Sequence, residues 1–155
     1  MRTELLQLLE KLVEKVGEES ATSILKKEMN VEVHELTIIS NLSHHHIPDF
    51  YLRGDVFVAS EGNVDLFGSD VIELSLARIL LKVKDKLMER SWKRIYFIPT
   101  GHPIISLQIK LLIYQVTRLN SIDLLYLDGN FVDVDMNIRE LELVVANKGK
   151  RRKMS

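Results

Sequence analysis

Apolar positions change their period along this chain. Over residues 3–16, Leu5, Leu8, Leu9, Leu12, Val13 and Val16 fall at helical spacing between Thr3, a capping residue, and Gly17, a stop. A shorter helix is predicted over 20–29, with Ala21, Ile24, Leu25 and Met29 on one face. Joined by "GEE", the two predict a helical hairpin over residues 1–30. A DNA-reading helix-turn-helix is the lesser alternative, because the second helix brings just Lys26 and Lys27 as a basic pair.

From residue 36 the pattern shortens. "LTIIS" (36–40) and "DVFVAS" (55–60) are apolar, β-branched runs suited to buried strands. Residues 70–90 return to helical spacing, with Val71, Leu74, Ala77, Leu80, Leu81, Leu87 and Met88 near one stripe. "RIYFIP" (94–99) predicts a strand, 104–119 a helix and "IDLLYL" (122–127) another strand. Strands alternating with helices at this spacing imply a parallel sheet with helices packed on it. Asp128-Gly129-Asn130 signals a tight turn into "FVDVDM" (131–136). Its alternation predicts an antiparallel edge strand with Val132, Val134 and Met136 inward, and with Asp133 and Asp135 in water. "ELELVV" (140–145) is a candidate further strand, and the basic tail 147–155 is expected to be disordered. The expected fold is thus α/β, a Rossmann-like, mainly parallel sheet flanked by helices. It forms one domain over 1–146, with the hairpin at 1–30 and the core at 36–146.

Composition narrows the functions. The chain has 155 residues, 46% hydrophobic and 28% charged, enough for a folded domain with a real core. A net charge of -1 leaves any nucleic-acid role to a local patch. The absence of cysteine excludes disulfides, thiolate metal sites and cysteine nucleophiles. No apolar run is long enough to span a bilayer, and "MRTELLQLLEKLVEKV" carries acids throughout, unlike a signal peptide. A cytoplasmic protein is expected.

Three strands leave their apolar runs into small polar residues. The first gives Ser40, Asn41, Leu42 and Ser43; the second Ser60, Glu61, Gly62 and Asn63; the third Thr100, Gly101 and His102. If these strands are parallel, the loops share one rim, where ligands of open α/β sheets bind. Pro103 suits a first helical turn, so the free N–H groups of the following helix face the region of Thr100 and Gly101. Gly101 permits close backbone approach, and Thr100 and His102 can donate hydrogen bonds. A phosphate suits such a site, although a capped helix without a ligand uses the same residues.

"RIYFIPTGHPIISLQIKLLIYQVTRLNSIDLLYLD" resembles the second part of CRISPR-associated Rossmann-fold (CARF) and related SAVED domains. The likeness covers 36–135 in pattern and 95–128 in motif; the single Gly101 and the presence of His102 depart from it. It implies a sensor of cyclic oligonucleotides in antiviral defence, working as a homodimer. The implied ligand-binding residues are Ser40, Asn41, Ser43, Ser60, Asn63, Thr100, Gly101 and His102. Some members cleave their ligand slowly without metal. For that reaction His102, or one of His44, His45 and His46, is the candidate acid or base. The effector module such sensors usually carry is not visible in this sequence, so residues 1–30 are candidates for binding a separate effector or a second subunit.

The remaining features have plainer readings. "HHHIPD" invites a metal through His44, His46 and Asp49, Asp55 or His102, but it lies in a loop before Pro48, and a solvated loop is preferred. No metal or cofactor is expected. Asp133 and Asp135 are read as a solvated face, and "KGKRRK" as a solubilising tail with nonspecific phosphate attraction as its alternative. Trp92 is expected to anchor the long helix to the sheet. Three functions stay open: a nucleotide sensor, a phosphodiesterase on the same site, and a protein-interaction subunit with an empty rim.

Overall fold

The structure, a computed structural model, describes residues 2–29, 34–43, 46–64 and 68–153. It divides into two compact units, Met1–Val33 and His34–Ser155. The first unit is the expected hairpin of α1 (Arg2–Val16) and α2 (Glu18–Met29). Gly17 ends α1 at φ 82, a left-handed backbone that glycine adopts without strain, and its N–H donates to the carbonyl of Val13.

The second unit is α/β. Its strands are β1 (Glu35–Ile39), β2 (Asp55–Val58), β3 (Arg94–Ile98), β4 (Ile122–Leu127) and β5 (Asn130–Val134). They form one sheet in the order β2-β1-β3-β4-β5. The first four run parallel, and β5 returns antiparallel to β4 through the Asp128-Gly129 turn. The helices are α3 (Ser69–Met88), α4 (Pro103–Thr117) and α5 (Leu141–Lys153).

Period-2 alternation divides the strands between two cores. Leu36, Ile38, Ile95 and Phe97 face α3 and α4, meeting Val83, Leu87, Ile105, Ile109 and Ile113. The buried stripe of α3 therefore runs through Val83 and Leu87, with Leu76, Ile79 and Leu80 beside it, while Val71, Leu74, Leu81 and Met88 are exposed. Trp92 is buried here as expected, its indole N–H donating to the Leu87 carbonyl at 3.0 Å. On the other face Ile39, Tyr96, Ile98 and Leu124 pack under the β1–β2 connection, through Ile47, Tyr51 and Leu52. Among its described residues that connection carries a 3-10 turn at Asp49–Tyr51 and no α-helix.

The last elements depart from the alternation. Val132 lies opposite Leu125 and Val134 opposite Asp123, on the helix-facing side of the sheet, and Val132 and Met136 are exposed. Phe131 instead joins the second core, and Asp133 takes a bidentate ion pair from Arg53 at 2.8 and 2.9 Å. The carboxylate of Asp133, with the Tyr96 hydroxyl oxygen as a further acceptor, holds the Arg53 guanidinium above its already high ordinary range. "ELELVV" is helical: Asn137 accepts from the Arg139 N–H, opening a 3-10 turn that leads into α5. The basic tail, expected to be disordered, continues that helix as far as Lys153.

Candidate functional site at the sheet switch point

β1 connects outward to β2, whereas β3 connects through α4 to β4 on the opposite side. The loops leaving β1 and β3 therefore diverge, and a crevice opens between their carboxyl ends. All three polar loops do share this rim, because β1, β2 and β3 are parallel.

Most of the polar groups at the base of the crevice are bonded to each other. Ser40, fully buried, donates through its hydroxyl to the Thr100 carbonyl and lies 2.9 Å from the Ser106 hydroxyl. Thr100 Oγ1 donates to the Asn41 carbonyl. The Asn41 side-chain amide donates to Ser60 Oγ and to the Gly62 carbonyl, each at 3.0 Å, and Ser60 Oγ donates to the Ser40 carbonyl at 2.6 Å. These bonds lash the three loops together, satisfying buried polar groups that would otherwise each cost about 1–3 kcal/mol. Ser40, Ser60 and Thr100 thus build the rim.

Above this network lies a cleft of about 660 Å³, the polar cleft, whose wall also includes the apolar Val64 and Ile105. Asn41 forms part of its lining, with Ser43, Gly62 and Asn63 contributed by the β1 and β2 loops and Gly101 and His102 by the β3 loop. Gly101 sits at φ 83, and a Cβ there would lie 2.5 Å from the Asn41 Cβ, so a side chain is excluded on conformational and steric grounds alike. His102 is the N-cap of α4: its Nδ1 accepts from the Ile104 N–H at 3.3 Å, and Pro103 follows in the first turn. With Nδ1 accepting this bond, the ring nitrogen left to meet a ligand is Nε2, which in the matching tautomer is a hydrogen-bond donor.

Among the described residues lining this cleft there is no Lys or Arg. The N–H groups of the first α4 turn are not free, contrary to the expectation: Pro103 has none, Ile104 donates to His102 Nδ1, and Ile105 and Ser106 donate to the His102 carbonyl. Attraction for an anion would come from neutral side-chain donors and the positive end of the α4 dipole, typically about 0.3–1 kcal/mol for a singly charged group. Such a site matches one delocalised negative charge better than a multiply charged terminal phosphate.

A second cleft, also about 660 Å³, adjoins the other side of the Gly101–His102 turn. Its walls include Phe97, Pro99, Pro103 and Leu107, and Lys110 and Asp123 also line it. The sequence reading overlooked this pair. The signal was present: Asp123 interrupts the apolar "IDLLYL" strand, and a half-buried carboxylate requires a partner. Of the triple histidine, His44 and His45 lie outside the described residues, and His46 is exposed and away from both linings. Among the described residues no three His, Asp or Glu side chains form a metal-binding group, and no helix is long and apolar enough to cross a membrane. Comparison with family models, with curated proteins and with solved structures finds no match for this chain.

Proposed function

We propose that this protein is a binding module for a nucleotide-type ligand carrying phosphodiester groups, of the cyclic oligonucleotide kind, held at the β1/β3 switch point. One observation carries the reading: a polar cleft free of Lys and Arg among its described lining residues, closed on one side by the N-terminal turn of α4 and by a glycine that admits no side chain. A phosphodiester bears a single charge, and neutral donors plus a helix dipole suffice for it. Ser43, Asn63 and the Nε2–H of His102 are the side-chain donors aimed at the ligand, while Ser40, Ser60 and Thr100 hold the loops. Binding takes precedence over cleavage here because His102, the candidate acid or base, is engaged as a cap.

The module acts in the cytoplasm as a homodimer. Its N-terminal hairpin offers Leu5 and Leu8, each more than half exposed, to a separate effector.

The test is a thermal-unfolding screen against cyclic and linear oligonucleotides, with inorganic phosphate as control. A ligand at about one hundred times its Kd stabilises the native state by about 2.7 kcal/mol, so a selective rise in Tm identifies the class. Asn63→Asp places a carboxylate at the exposed wall of the cleft and is expected to abolish that rise without lowering the Tm of the free protein. No shift with any phosphodiester overturns the reading, leaving an interaction subunit with an empty rim.

A further inference from the structure

We infer that the second cleft is a nucleobase subsite, and that the Lys110–Asp123 pair selects bases carrying an exocyclic amino group. The inference rests on the nucleotide reading above and extends it to the part of the ligand that the polar cleft does not address.

The hydrogen-bond count at the pair leaves capacity unused. Lys110 Nζ donates to Asp123 Oδ2 and, at 3.1 Å, to Ser121 Oγ; Ser121 Oγ donates to Asp123 Oδ1 at 2.7 Å. An ammonium has three donors and a carboxylate about four lone-pair sites. One donor of Lys110 and further acceptor sites on Asp123 therefore remain. The pair is not sealed off: the Lys110 side chain is 41% exposed and that of Asp123 25%, and both line the cleft.

The rest of the wall fits a flat ring. Pro99, Pro103 and Leu107 present apolar surface beside the charged pair, as expected of a ligand cleft with a few placed polar groups. Gly101 and His102 belong to both clefts. A ligand with a phosphodiester on one side of this turn can place its base on the other.

A carboxylate beside an ammonium offers an acceptor next to a donor. Adenine and cytosine carry an amino group adjacent to a ring-nitrogen acceptor and match that order. In the amino-to-oxo counterparts, hypoxanthine and uracil, an oxygen replaces the amino group. They present the reverse order, a carbonyl acceptor beside a ring N–H donor, and reach the same pair only by shifting the carbonyl onto Lys110 and the N–H onto Asp123, away from the pose of the amino bases.

The experiment titrates the 155-residue protein with cytidine against uridine and adenosine against inosine, following backbone amides by NMR. A base-free cyclic phosphodiester serves as the probe of the polar cleft. Cytidine and adenosine are expected to bind about tenfold more tightly than their oxo partners, within the discrimination one bidentate base contact provides. Asp123→Asn, whose amide can present either a donor or an acceptor, is expected to level that ratio. Lys110→Met is expected to weaken all four nucleosides. Thermal unfolding of both variants establishes that they fold. Equal binding of amino and oxo partners, or a ratio unchanged in Asp123→Asn, overturns the inference. Binding of the base-free phosphodiester without nucleoside binding also overturns it, while leaving the proposed function standing. Nucleoside binding with the expected ratio but without phosphodiester binding preserves the subsite and sinks the proposed function.

Discussion

Two glycines on the rim separate conformational from steric demands. Gly62 and Gly101 both have positive φ, 63 and 83, but a Cβ on Gly62 meets nothing within 4 Å, whereas one on Gly101 runs into Asn41. Gly62→Ala is expected to cost the backbone penalty alone, about 1–2 kcal/mol. Gly101→Ala adds an overpacking term of about 1–3 kcal/mol, because Asn41 is buried and bonded to Ser60 and Gly62. Urea unfolding of the two variants checks this; equal losses would mean that Gly101 does not press on Asn41. This constraint was half legible, since a glycine between a strand and a helix-starting proline announces a close approach. The directions of Ser40, Asn41 and Ser60 were not, because their partners lie 19 to 66 residues away and local pattern carries no such information. Arg53 and Asp133, 80 residues apart, escaped for the same reason.

At the scale of elements, α4 owes its start to His102 and Pro103, so the cap and the proposed ligand donor reside in one side chain. Substitutions separate them. His102→Ala is expected to lose about 1 kcal/mol of stability and the Nε2–H donor together. His102→Asn restores the cap, and His102→Asp caps at least as well but sets a carboxylate beside the polar cleft. Stability in the order Ala below Asn and Asp, with phosphodiester binding lost in Asp, is the expected pattern from urea unfolding and titration. Equal stability in all three would remove the cap from the account. Strand and helix types from residue 36 to 127 were readable because the buried strands are continuous apolar runs and the helices keep their period. The end of the chain was not. "ELELVV" alternates, yet Leu and Glu are strong helix formers, and Asn137 supplies the opening turn. In β5 the alternation had the right period and the wrong face, because the second core takes Phe131 rather than the smaller valines.

For the whole molecule, strand order decides where the site lies and which surface remains bare. Alternation of strands and helices fixes neither: β1 could have neighboured other strands with the same local pattern. Given β2-β1-β3-β4-β5, α4 lies against β3 and reaches β4 through Lys110 and Asp123. Beyond it Leu125, Leu127 and Val132 stand on the helix-facing side of β4 and β5, each 43–49% exposed, and Leu111 on α4 and Ile138 are more exposed still. Single exposed apolar residues are ordinary, but a neighbouring group of this kind on one sheet face is a candidate interaction surface. The homodimer proposed above is expected to use it. Leu107 belongs to the exposed side of α4 and also lines the base cleft, so a second copy seated there would border both clefts' shared turn. Leu125→Asp is expected to shift the protein from dimer to monomer in sedimentation velocity while the α/β fold, followed by circular dichroism, persists. Ligand titration of that monomer then divides two assemblies. Retained affinity means that each chain carries a complete site. Lost affinity with an intact fold means that the site is closed by its neighbour. A wild-type protein that sediments as a monomer at all concentrations rejects the dimer and, with it, this use of the face.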